Sequence, residues 1–129
     1  MSLNYVMLGS NDVPRASDFY DALFPAIGGR LIAEHMPHAF CYELPGGGRI
    51  WVATPFDEQQ AEPGNGNMVG LACDSRAIVD EAHRIGLAQG GTSEGAPGPR
   101  PQYGPEFYGG YLRDLDGNKL SFVCFGDAD

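Results

Sequence analysis

At 129 residues the chain has room for one compact unit, or for two half-size modules sharing a core, and its 43% hydrophobic residues suffice to build that core. Its 17 acidic residues against 8 basic ones give a net charge of −9, which repels phosphate backbones and anionic lipid heads and argues against nucleic-acid or membrane-surface binding. No apolar run is long enough to span a bilayer, and the first residues lack the basic and apolar blocks of a signal peptide. Cys41, Cys73 and Cys124 are odd in number, lie in apolar segments and form no CxxC, so they are expected as buried free thiols in a reducing cytoplasm.

In chain order, Leu3 to Leu8 predicts a short strand, broken at Gly9-Ser10-Asn11-Asp12. A helix is expected from about Val13 to Phe24, with Asp12 as its N-cap and Pro14 in its first turn. Ala16, Phe19, Tyr20 and Leu23 recur at helical spacing and define its apolar face. Pro25 and Gly28-Gly29 end it. Arg30 to Glu34 reads as a strand and His35 to His38 as a turn. A hairpin over Ala39 to Phe56 turns at Gly46-Gly47-Gly48. The polar stretch 58–66 is expected to link two modules.

The second half runs the same way. Asn67 to Ala72 is a short strand, and Asp74 or Ser75 caps a helix reaching about Ala88. Ile78, Ala82 and Ile85 are its expected inner face, with His83 on the solvent side. Thr92 to Gly110, rich in glycine and proline, begins as an extended segment and continues as a stiff loop. Tyr111 to Phe125 closes the chain as a hairpin turning at Asp116-Gly117-Asn118. The distance from Asp12 to Gly28 equals that from Asp74 to Gly90, so the order strand, helix, three strands occurs twice. Neither half has the apolar surface to stand alone.

This repeat, with Asn11-Asp12 and Phe19-Tyr20 in the first half and Arg113 to Leu120 (RDLDGNKL) in the second, resembles the vicinal-oxygen-chelate superfamily. That group includes glyoxalase I, extradiol dioxygenases and bleomycin-resistance proteins. The stretch Gly90 to Tyr103 is similar to a glyoxalase-like branch. The resemblance implies an α+β fold in which two βαβββ modules, about 3–57 and 67–125, form mixed curved sheets around a central cleft within a single domain spanning 1–129. It also implies a homodimer.

In metal-using members the ligands come from the first and fourth strands of each module. Carried over residue by residue, the first-strand positions, seven residues before Asp12 and Asp74, are Tyr5 and Asn67. The fourth-strand positions are Trp51 and Ser121. Here the chain departs from the pattern. An indole cannot ligate, and neutral phenol, amide and hydroxyl oxygens are poor ligands for a divalent ion. No metal or other cofactor is therefore expected, and a one-residue slip offers no His or carboxylate either. Strand alternation would add Met7, Ala53, Val69, Leu71, Val123 and Phe125 to the cleft wall. That lining suits a small planar or partly apolar organic molecule, with Tyr5, Trp51, Asn67 and Ser121 as its hydrogen-bonding tips. The same aromatics suit a core as well as a pocket.

Arg100 and Tyr103 lie in the Gly/Pro loop, where the arginine is a candidate to hold an anionic group. Glu106, Tyr108 and Glu43 are the candidates for acid–base work. Arg113 and Lys119 are expected as surface charges of the hairpin. No nucleophile triad, P-loop or dinucleotide fingerprint is present. The resulting expectation is a glyoxalase-related, metal-free binder of a small organic molecule. If it is an enzyme, it is a glyoxalase-like lyase or isomerase. One alternative is a metal-dependent glyoxalase (lactoylglutathione lyase-like) or dioxygenase. Another is a bleomycin-type drug-sequestering protein, for which the net negative charge suits a cationic antibiotic.

Overall fold

A computed structural model describes residues 2–126; residue 1 and residues 127–129, which the expected domain includes, lie outside the described residues. The elements are β1 (Tyr5–Gly9), α1 (Val13–Leu23), β2 (Arg30–His35), β3 (Ala39–Glu43), β4 (Arg49–Ala53), β5 (Val69–Ala72), α2 (Arg76–Ala88), β6 (Thr92–Pro99), β7 (Phe107–Arg113) and β8 (Lys119–Phe125). They form two four-stranded mixed sheets, ordered β1-β4-β3-β2 and β5-β8-β7-β6, in which β1 and β5 pair parallel and the other neighbours antiparallel. This is the α+β architecture of two βαβββ modules.

Local chemistry sets most of the boundaries. The Asp12 carboxylate accepts the Arg15 N–H and opens α1, and Ser75, not Asp74, accepts the Ile78 N–H and opens α2. A short 3-10 turn over Phe24–Ile27 carries α1 to Gly28, whose φ of 85° closes the element in the left-handed region. The strand expected to begin at Asn67 begins at Val69 instead. The Asn67 N–H donates to the Gly64 carbonyl, so residues 64–67 close a turn before β5 can start.

Both helices pack on one face of their sheets, and a single buried core runs through both modules. It joins Phe19, Tyr20 and Leu23 of α1 to Leu112, Leu120 and Phe122 of β7 and β8. The inner face of α2 is Val79, Ala82, His83 and Gly86, and the expected Ile78 and Ile85 flank it, partly buried against the same core. Gly86 lets α2 approach β7 closely, since a Cβ there would run into the Leu112 side chain. His83 is consequently buried at 5% exposure, contrary to the solvent position expected. Its Nε2 lies 3.2 Å from the Tyr111 carbonyl and 3.3 Å from Ser93 Oγ.

The RDLDGN turn is an intermodule clasp. Asp114 accepts the backbone N–H groups of Asp116 and Asn118 at 2.9 and 2.8 Å, the Asn118 amide at 3.0 Å and the Tyr20 hydroxyl of α1 at 2.5 Å. The Asn118 amide also donates to the Gly9 carbonyl, and Asp116 accepts the Asn11 N–H. Burial pushes the Asp114 carboxyl above its ordinary range against the pull of these donors, and pushes the Tyr20 phenol well up as well. Cys41, Cys73 and Cys124 are buried and unpaired, and burial raises the Cys73 thiol to about 12. Among the described residues no helix is long and apolar enough to cross a membrane.

Candidate functional site

Because side chains alternate along a strand, each sheet has a face turned away from its helix. On β1 and β4 this open face carries Tyr5, Met7, Arg49, Trp51 and Ala53, while Leu8, Ile50 and Val52 enter the core. On β8 it carries Lys119, Ser121, Val123 and Phe125. Val69 and Leu71, expected on the cleft wall, do not share the open face with Ser121: Leu71 is in the core and Val69 packs against it, and both border the cavity at the seam between β1 and β5.

Two cavities meet at Met68 and Lys119, which line both. The first, about 530 Å³, lies along the seam between β1 and β5 and includes Tyr5, Met7, Arg49 and Asn67. The second, also about 530 Å³, lies on the open face of the second module. It is walled by Glu94, Arg100, Gln102, Tyr103, Phe107 and Tyr111. Tyr5 and Asn67 thus come to one cavity and Arg100 and Tyr103 to the other. Trp51 and Ser121 line neither: the indole stacks on the His35 ring at 6.2 Å, and Ser121 is 2% exposed.

Asn67 does not share the open-face register of Tyr5. Leu8 pairs with Val52 as Leu71 pairs with Phe122, and the second helix is capped at Ser75. Counting back from Ser75 makes Met68 the equivalent of Tyr5. A one-residue slip at the cap hid Met68, and the correct cap would have revealed it. Alternation outward from Ser121 also points to Lys119.

The acid–base candidates scatter. Glu43 bonds Arg30 at 2.7 Å and approaches Arg49 at 3.6 Å on the first module's open face. The Arg30 hydrogen bond holds its carboxyl below the usual range, so Glu43 is a weak base near neutrality. Tyr108 turns to the helix side and donates to Asp80 at 2.6 Å. Glu106 is exposed in the turn before β7 and lines neither cavity. Arg113 and Lys119, read as hairpin surface charges, instead flank Glu94 on the second open face at 3.4 and 3.9 Å.

The resemblance implies a divalent metal held at the first and fourth strands of each module. Those positions carry a phenol, an indole, a hydroxyl and, in the observed register, the thioether of Met68. None offers the anionic oxygen or imidazole nitrogen that a divalent cation needs. Among the described residues no three His, Cys, Asp or Glu side chains gather to hold an ion. The residues do not fit a metal at this place.

Comparison with solved structures finds a glyoxalase/bleomycin resistance protein from Albidiferax ferrireducens T118. It is 36% identical, with 95% of this chain covering 97% of that one at a TM-score of 0.83. A glyoxalase-related enzyme from Fulvimarina pelagi matches at 18% identity over 96% of this chain and 88% of that one, with a TM-score of 0.75. Lactoylglutathione lyase from Agrobacterium tumefaciens matches at 19% identity over 95% and 92%, with a TM-score of 0.68. These last two likenesses concern the fold alone. No family profile and no curated protein matches the sequence.

Proposed function

Given that this chain belongs to the glyoxalase/bleomycin-resistance family of the vicinal-oxygen-chelate superfamily, we propose that it binds a small organic molecule on the open face of its second module without a metal ion. The observation that carries this reading is an aromatic-walled cavity of about 530 Å³ on that face, reached by Met68, one of four ligand positions that all carry neutral or aromatic groups. A metal-dependent lyase or dioxygenase reaction lacks its donors here. The drug-sequestering alternative drew on the net charge of −9, but the acids lie mainly on helices, turns and linker, not in this cavity. With Tyr5 and Met7 each 55% exposed and Phe125 71% exposed, the open faces are wide and apolar for a lone chain. A homodimer in which a second copy covers them belongs to the proposal.

The test is ligand-observed NMR on the full chain in EDTA with small neutral, anionic and cationic aromatic compounds, alongside sedimentation. Saturable binding by at least one class is expected, with ring resonances of Tyr103, Phe107 and Tyr111 shifting in protein-observed spectra of the same samples, together with a mass of two chains. If every class fails to bind at millimolar concentration, the binding reading is overturned, and a single-chain mass removes the dimer.

A further inference from the structure

The placement of charge on the open faces names the class of ligand, an inference that rests on the binding reading above. The chain is acidic overall, yet these faces are not. Strands bring Arg30, Arg49, Arg113 and Lys119 to them against Glu43 and Glu94, and Arg100 arrives from the turn after β6. In a molecule with only 8 basic residues, five stand on these faces, and three of them, Arg49, Arg100 and Lys119, line the cavities.

In the second module the charges lie around one ring. The Arg100 guanidinium sits 5.4 Å and the Lys119 ammonium 5.8 Å from the centre of Tyr111. Glu94 is shared between Arg113 at 3.4 Å and Lys119 at 3.9 Å, and Arg113 also donates to the Gly117 carbonyl. The cavity wall itself therefore carries two cations, Arg100 and Lys119, against the single acid Glu94. Its excess is one positive charge.

Arg100 is also held in advance. It donates from Nη1 to the Gly98 and Pro99 carbonyls at 3.0 and 3.2 Å and from Nη2 to the Ala96 carbonyl at 2.7 Å. A guanidinium has five N–H donors, so Nε–H and one Nη2–H are not engaged by these bonds. A head fixed before a ligand arrives loses little rotamer entropy on binding, and its planar donors match a carboxylate better than a point charge does. Beside it Tyr103 and Phe107 meet edge to face at 5.2 Å and give an apolar wall.

We infer that this cavity takes a small aromatic monocarboxylate, its ring against Tyr103 and Phe107 and its carboxylate between Arg100 and Lys119. A cationic ligand would meet two like charges. A dianion would exceed the positive charge that the wall supplies.

The test titrates three compounds of one shape into the full chain near pH 7 and follows aromatic and arginine Nε resonances by NMR. They are 3-phenylpropanoate, 3-phenylpropanamide and 3-phenylpropylamine. The carboxylate is expected to bind saturably, about tenfold or more tighter than the amide, with the Arg100 Nε–H signal shifting. It should lose most of that advantage in about 0.5 M NaCl. Arg100→Gln and Lys119→Gln should each weaken the carboxylate about tenfold and leave the amide nearly unchanged. Arg84→Gln, on the exposed side of α2, should change neither. If Arg100→Gln disturbs β6, Lys119→Gln and the salt series carry the result. Equal affinity for carboxylate and amide, or preference for the amine, overturns the inference and leaves the binding reading standing. If none of the three binds, the inference is overturned, and the wider compound set then decides whether the binding reading falls with it.

Discussion

The two modules share a backbone plan and differ in what occupies their open faces. At equivalent places the first module carries Met7, Trp51 and Cys41, and the second carries Gly70, Ser121 and Tyr111. In the first, Trp51 stacks on His35 and the charges close on themselves as Arg30–Glu43–Arg49. In the second, small residues on β5 and β8 leave Tyr111 standing with cations beside it over a cavity. A duplicated scaffold does not imply a duplicated site. Side-chain volume at equivalent strand positions differs between the two copies, and with it the shape of each open face.

The largest expected effect concerns what makes the modules one body. Asp114→Ala leaves the Tyr20 hydroxyl, two backbone N–H groups and the Asn118 amide without their acceptor. It should cost about 2–4 kcal/mol in urea unfolding. Tyr20→Phe removes one partner only and should cost about 1 kcal/mol. If the two variants lose equally little, the turn is not the clasp between modules.

A second pair of variants addresses the difference itself. Ser121→Trp places the first module's bulk in the second, and should cost about 1–3 kcal/mol through overpacking while weakening ligand binding about tenfold or more. Trp51→Ser removes a partly buried stack and should cost about 1 kcal/mol or less. It should also leave the second module's binding as it was. Unchanged affinity in folded Ser121→Trp would show that side-chain volume at this position does not govern the site.

The fold was legible where short-range chemistry decides. Asp12 ahead of Pro14, the glycine turn at 46–48 and the DGN turn at 116–118 each mark their element from neighbouring residues alone. The errors arose where distant packing decides. Asp74 and Ser75 are both good caps, and choosing between them moved the first-strand count from Met68 to Asn67. His83 is polar by type, yet it lies on the buried face of α2 with Ala82 and Gly86, where its ring nitrogen meets the Tyr111 carbonyl and Ser93, partners distant in sequence. Arg113 and Lys119 looked like surface charges because their acid, Glu94, comes from a bulged strand far back in the chain. Tyr108 lost its place in the cleft to simple alternation, its neighbours Phe107 and Gly109 taking the open face.

The proposed metal-free site follows from strand positions that carry a phenol, an indole, a thioether and a hydroxyl where a divalent cation needs imidazole or carboxylate. The most direct measurement is the metal content of protein produced in medium supplemented with zinc, nickel, manganese and iron and purified without chelators. Far less than one equivalent of any of them per chain is predicted. A stoichiometric ion, retained through dialysis and lost on Tyr5→Phe or Ser121→Ala, would contradict it.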